Sequence, residues 1–294
     1  MKSLPAKPLR RDVRSMKKQR RTSLILQYAL MVILAAFFLF PLIFMVVASF
    51  KEDASILRDS DTIKAFIPSP SVGLDNFVSA AERANVWRVF FNSVIISSSI
   101  VGLGLVVNSL FGYALARLRF RWRNVLVAAI VALIIIPFEA LAVPLLFITA
   151  ELGWLDTYHV QIVPFIANPL FVYLFYTFFL NVPVSLEEAA RVDGAGPVRT
   201  FVSVVAPLAR PAYATMAILG FLFSWGQFLW PVMVTRGVDV RPLPLGIGVF
   251  QNTPPVQWGD IMAYATLMTL PLLVVFLVFQ RHFVQGVASS GVKG

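Results

Sequence analysis

The sequence contains no cysteine and only two histidines among its 294 residues. The first absence excludes a disulfide, a thiolate zinc site and a thiol nucleophile. Charge is scarce too, at 14% of the chain against 58% apolar residues. A soluble domain carries about 25% charged and roughly 45–50% apolar residues, so this chain cannot cover its surface with groups that suit water. Tyrosine is sparse beside phenylalanine, 7 against 26, and phenylalanine is the aromatic that needs no polar partner. No G-x-x-x-x-G-K-[ST] segment occurs, so the chain has no phosphate loop with which to bind ATP itself. These absences exclude an ordinary soluble protein and place the chain in a lipid bilayer.

What is abundant is long apolar sequence. A spanning helix needs about 20 mostly apolar residues, and six segments meet that requirement: 24–50, 89–116, 124–150, 160–180, 211–235 and 261–280. The first is longer than a leader's apolar core of roughly 7–15 residues and reads as a retained anchor. The net charge of +10 is unevenly placed. Segments 1–23, 117–123, 181–210 and 281–294 hold 18 of the 25 basic residues, whereas 51–88, 151–159 and 236–260 hold 7 basic and 10 acidic residues. The positive-inside rule puts the first group, with both termini, in the cytosol. The basic residues are therefore topology signals and not a nucleic-acid site. No internal repeat is apparent, and the expectation is an all-α membrane protein of six spans forming one kinked bundle. Segment 51–88 reads as an amphipathic cap on the outer face. The histidines, His159 and His282, fall at opposite faces and cannot form one catalytic site.

Prolines interrupt several spans: Pro137 and Pro144 around Glu139 in the third, Pro164 and Pro169 in the fourth, Pro231 ending the fifth. Each removes a backbone hydrogen bond whose acceptor must find another partner inside the bundle. Glu139 is the ionisable residue well inside a span, and two readings stand open for it: a role in a polar pathway, or a bond to carbonyls freed by the prolines. Asn92, Asn108, Asn168, Ser224 and Gln227 are polar spots that could face such a path, with Trp225 and Phe228 able to stack on a solute. At helical spacing Ser224, Gln227 and Phe228 share a face. The alternative for these aromatics is core or interface belt, and Trp230 reads as belt. Arg117, Arg119, Arg121 and Arg123 read as headgroup anchors.

The longest cytosolic connection, 181–210, reads as two short helices at an angle. Ser185 and Glu188 form a capping box that would start a helix near Leu186. Gly194 and Gly196 offer the positive φ that stops it, and Pro197 suits the first turn of the next. Ala189 and Ala190 leave a bare patch with the Glu188 carboxylate on its edge.

The run EAARVDG followed by VSVVAP resembles the E-A-A-x-x-x-G-x9-I-x-L-P signature of inner-membrane subunits of bacterial ATP-binding-cassette importers, with Glu188, Ala189, Ala190, Gly194 and Pro207 in register. Val204 and Ala206 replace the usual Ile and Leu. NSLFGYALARLRFRWR, IPFEALAVPL, FSWGQFLWP and QRHFVQGVASSGVKG are similar to the MalG-type branch of carbohydrate permeases, a likeness that runs from about residue 30 onward. The resemblance implies an inner-membrane subunit, not an enzyme, that works with a second permease subunit, two cytosolic ATPase subunits holding ATP and magnesium, and an external solute-binding protein that delivers a sugar. It also implies that 181–210 is a coupling helix seated in the ATPase. A secondary transporter or channel is the alternative, disfavoured because Glu139 has no acidic or histidine companion.

Overall fold

The computed structural model describes residues 13–252 and 255–291; the first twelve residues of the basic amino-terminal segment and residues 292–294 of the tail lie outside them. Every regular element among the described residues is a helix, as lipid requires of a backbone that must satisfy its own hydrogen bonds. Helix α1 (Val13–Ala48) carries the first apolar run. A cap built from α2 (Asp53–Arg58), a 3₁₀ turn (Ile63–Phe66) and α3 (Asp75–Arg83) leads into α4 (Val86–Arg117). The third run is two helices, α5 (Arg123–Ile135) and α6 (Phe138–Glu151), bent by 102°. Pro137 causes the bend: it disfavours helical geometry at Ile136, whose ψ is 118°. Pro144 rides inside α6 without ending it.

In the fourth run, α7 (Tyr158–Ile166) and α8 (Pro169–Leu180) meet at Asn168, whose side chain caps α8, and Pro164 stays within α7. Next come α9 (Val184–Val192), α10 (Pro197–Thr200), a π turn (Phe201–Val205) and α11 (Ala206–Leu208), which together make the expected elbow. Helix α12 (Arg210–Trp225) stops at Gly226 and α13 (Leu229–Val234) begins after Phe228. The fifth run therefore breaks before Pro231, which sits inside α13 and does not end the span as its sequence position suggests. After α14 (Leu243–Gly246) and α15 (Gly248–Asn252), α16 (Trp258–Gly291) runs past residue 280, so the backbone of the last segment, 281–294, continues the sixth apolar run as helix to Gly291. Four of these helical stretches are long and apolar enough to cross a membrane, or up to six if the bent pairs α5 with α6 and α10–α11 with α12 each count as one.

Helix α4 is the centre of the bundle, packed against α3, α7, α8, α12 and α14. Its approach to α8 depends on Gly112, where an added Cβ would lie 2.7 Å from the Cβ of Phe175 and 2.8 Å from the amide nitrogen of Tyr176. At the elbow end, Phe175, Phe179, Phe201, Val205 and Met216 form one buried cluster. At the other end, Val89, Trp225, Leu243, Phe250 and Tyr264 form another. Helix α1 stands apart: its large side chains are mostly exposed, and it packs on α16 and on Phe66 of the 3₁₀ turn.

The connections 51–88, 151–159 and 236–260 interlock at one end. Arg83 pairs with Asp260 at 2.7 Å and Arg88 with Asp239 at 2.9 Å. The buried Lys51 ammonium donates to Asp59 and to the carbonyl of Lys64. Asp156 accepts from the backbone amides of Arg236 and Gly237, at 2.8 and 3.0 Å, and these bonds hold its carboxyl below the ordinary value of 3.8. Because the folded pKa is depressed, the stabilisation is complete above 3.8 and is lost as pH falls through the lower folded value. Asp156→Asn should therefore melt below wild type at pH 7 in detergent, and the gap in Tm should close under strongly acid conditions. A gap unchanged by pH would remove the charge from the account.

Candidate functional site

The elbow is set by two local signals. Pro183, with φ −59° and ψ 127°, delivers an extended backbone to α9, which starts at Val184, two residues earlier than the capping box would place it. Ser185 thus lies inside the first turn and caps nothing through its side chain. At the far end Gly194 takes φ +81°, its amide donates to the carbonyl of Arg191, and the amide of Ala195 donates to that of Ala190. This paired arrangement closes the helix and needs a residue at ease with positive φ. Gly196 does not share it: its φ is −70°, and it leads into Pro197 at the first turn of α10.

On α9 successive side chains point about 100° apart, and the two adjacent glutamates separate accordingly. Glu188 is exposed, with Ala189 beside it, Ala190 half-buried, and Gly194 and Pro207 exposed. Around them the elbow shows an apolar surface to the outside, with Val192 87%, Val198 75% and Val202 60% exposed. Glu187 turns inward and is 1% exposed. One carboxylate oxygen accepts from the Tyr113 hydroxyl at 3.0 Å and the other from Nε of Arg117 at 2.5 Å. The same guanidinium donates to the carbonyl of Val182, immediately before the elbow. Sequence reasoning missed this triad because the partners are 70 or more residues apart. The one available signal was a helix pitch that sends two neighbouring carboxylates to different faces. Two of the four arginines read as headgroup anchors are thereby engaged inside the protein: Arg117 with Glu187, and Arg123 with the carbonyl of Leu115 and the ring of Tyr176. Arg119 and Arg121 remain at the surface.

The polar residues of the spans fall into two groups. Asn92 is buried, donates to the carbonyls of Val238 and Arg241, and accepts from Tyr158 at 2.6 Å. Asn108 is buried too; it donates to the carbonyls of Gly104 and Ile166 and accepts from the amide of Asn168. These side chains tie α4 to segment 238–241 and to the α7–α8 break. The cavity beside Asn108, lined also by Gly104, Phe165, Phe171 and Gly220, measures about 10 Å³, room for about one water and far too small for a sugar. Trp225 is core, stacked on Phe221 and donating to the carbonyl of Met268. Trp230 is fully buried, donates to the carbonyl of Val160 and touches Phe138 and Phe165, which corrects its reading as belt.

The second group lies at the surface. Glu139 is exposed in the first turn of α6, Phe228 is exposed, and Ser224 and Gln227 are half-buried. The break after Trp225 cancels the helical spacing expected of 224, 227 and 228. Tertiary packing replaces it: the Phe138–Trp230 contact at 5.9 Å brings the kink of the third run against the break of the fifth. Glu139 and Phe228 thus flank one junction of interrupted helices.

Residues 108–289, which hold the elbow, the Glu187 triad and both breaks, match the binding-protein-dependent transport system inner membrane component family. The chain belongs to this family. It is 38% identical over 281 residues to the arabinooligosaccharides transport system permease protein AraQ of Halalkalibacterium halodurans, with 94% of this chain and all of the relative aligned. It is 31% identical to the trehalose/maltose transport system permease protein MalG of Thermococcus litoralis, over 94% and 98% of the two chains. It is 30% identical to the sn-glycerol-3-phosphate transport system permease protein UgpE of Salmonella typhimurium, over 94% and 99%. A solved bacterial ABC transporter involved in the import of the acidic polysaccharide alginate shares the fold, with TM-score 0.77, 21% identity, and 95% of this chain and 100% of that chain covered. As a member of this permease family the chain is a multi-pass inner-membrane transport subunit and not an enzyme.

Proposed function

We propose that this permease and a second permease subunit form the path by which an ATP-driven importer takes up a sugar or oligosaccharide delivered by an external solute-binding protein. In this reading the chain crosses the membrane six times, with both termini and the elbow in the cytosol. The basic bias of 1–23, 117–123 and 181–210 supports that orientation, as does the gathering of 51–88, 151–159 and 236–260 at the opposite end. The elbow is the part that meets the ATPase, through Glu188, Ala189, Ala190, Gly194 and Pro207. The observation that carries this is the exposed apolar surface of the elbow, led by Val192 on α9, with the exposed Glu188 carboxylate on the same short helix; a patch of that kind marks a docking site. ATP and magnesium belong to the ATPase subunits, since the chain has no phosphate loop.

Glu139, Gln227, Ser224 and Phe228 face the solute from the surface of the chain, at the junction of the two broken runs. Asn92, Asn108, Asn168 and Trp225 support the path from inside the bundle, bonded to segment 238–241, to the α7–α8 break and to α16. The experiment is reconstitution into vesicles with the neighbouring permease, ATPase and binding protein. Radiolabelled arabino-oligosaccharides, maltose, trehalose, lactose and sn-glycerol-3-phosphate are then supplied with and without ATP. Accumulation of a sugar only with ATP and all subunits present is expected. ATP-independent uptake by the purified chain alone would overturn the proposal in favour of a secondary transporter or channel.

A further inference from the structure

We infer that the Glu187–Arg117–Tyr113 triad is the joint through which the elbow drives α4, and that α4 carries the displacement to segment 238–243 at the opposite end. Glu187 is a positioning residue in this scheme: it touches neither solute nor ATPase. The proposal rests on the coupling role given above to the elbow.

Three observations lead to it. First, the grip is double. A single guanidinium holds both the carbonyl of Val182, at the entrance to the elbow, and the carboxylate of Glu187, in its first turn, while Tyr113 binds the second carboxylate oxygen. The pair is buried, with side-chain exposures of 10% and 1%. Two charges fixed in this way out of water resist parting, because separation leaves an uncompensated charge in a poorly solvated site. Second, both donors stand on the last turns of one helix. Tyr113 is four residues before Arg117, so they lie on the same face of α4. Third, the other end of α4 is clasped as well, chiefly through buried Asn92 and Ser93. Asn92 donates to the carbonyls of Val238 and Arg241, the hydroxyl of Ser93 accepts from the amide of Leu243, and Arg88 pairs with Asp239. Both clasps sit on one proline-free helix of 32 residues, and the stretch from Ser93 to Tyr113 between them is a rod of about 30 Å at 1.5 Å per residue. The elbow's route through α12 is softer. It passes the π turn at Phe201–Val205 and the 78° bend before α12, and α12 itself ends at Gly226.

The test reads motion at the far end and needs no solute. Val238 is exposed and the chain has no native cysteine, so Val238→Cys is a single reporter for an impermeant maleimide added outside. Complexes with the partner permease and the ATPase, rendered cysteine-free, are reconstituted and labelled with and without trapping by Mg-ATP and vanadate. In the otherwise wild-type background, trapping should change the labelling rate at 238 about tenfold. With Glu187→Gln, which keeps the shape and removes the charge, ATP hydrolysis and vanadate trapping should persist while the labelling change falls at least about fivefold. Tyr113→Phe keeps the ring packed on Phe179 and Phe201 and should give an intermediate loss; it decides the matter if Glu187→Gln fails to assemble. A full labelling change in Glu187→Gln or Tyr113→Phe overturns the inference, as does an absence of change in the parent. The elbow reading is checked separately by Glu188→Lys. If that variant imports normally, the coupling role itself fails; if it does not, and the triad variants still relay motion to 238, the triad alone is discarded.

Discussion

Gly112→Val should leave almost no assembled protein in the membrane. The added Cβ would fall 2.7 Å from the Cβ of Phe175, 2.8 Å from the amide nitrogen of Tyr176 and 3.0 Å from the carbonyl oxygen of Val172. Two of these three atoms are backbone, so no rotamer change relieves the contact, and α8 must move off α4 to admit even one methyl. That motion would open the interface holding Phe175 and Phe179, both fully buried, and would strain the Asn108–Asn168 bond farther along the same helix pair. Without a hydrophobic force between helices in lipid, close approach at small residues supplies much of the association. Overpacking costs about 1–3 kcal/mol when side chains can yield; here backbone must yield, and a cost above about 3 kcal/mol is a large share of a total of roughly 5–15. Gly112→Ala should follow in the same direction with a smaller loss. Gly102, also in α4, has nothing within 4 Å of the place an added methyl would take, so Gly102→Ala is the control and should be neutral. Membrane yield and Tm in detergent measure all three, and normal assembly of Gly112→Val would show that α4 and α8 are not held by this contact.

Glu188→Lys should do the opposite: a permease folded and present in the membrane at full yield, with import lost. The side chain is exposed in the isolated chain and belongs to no ion pair among the described residues, so reversing its charge should change the permease's own stability by no more than about 0.5 kcal/mol. At an interface the same change removes a charge partner and adds a repulsion, a loss of about 2–5 kcal/mol where the pair is desolvated. Uptake in reconstituted vesicles and the part of ATP hydrolysis stimulated by binding protein should fall together, by at least about tenfold. Gly194→Val attacks the same surface by another route, because φ of +81° is strained for a β-branched residue. Wild-type import by Glu188→Lys would end the assignment of the elbow to the ATPase.

Much of the architecture is legible in the sequence because hydropathy and proline act locally. The apolar runs become the long helices, and Pro137 produces a sharp bend because a proline restricts the residue before it. Gly194 stops α9 for an equally local reason. What the sequence conceals is decided between distant segments. Trp225 and Trp230 look like solute platforms or interface residues until Met268 and Val160 supply carbonyls for their indole N–H groups. Asn92 and Asn108 look like path-lining residues for the same reason: a buried amide and a solute-facing amide are the same letter. The roles of Glu187 and Glu188 depend on where α9 starts, and Pro183 moves that start by two residues.

The interlocked connections opposite the elbow also say where a seam can open. Ion pairs and buried amides join 51–88, 151–159 and 236–260 to the end of α4 and to one another, and parting them would strand several polar groups at once. This polypeptide is closed on itself at that end. In the proposed importer, a mouth wide enough for a sugar would therefore form between this permease and its partner, each moving as one jaw.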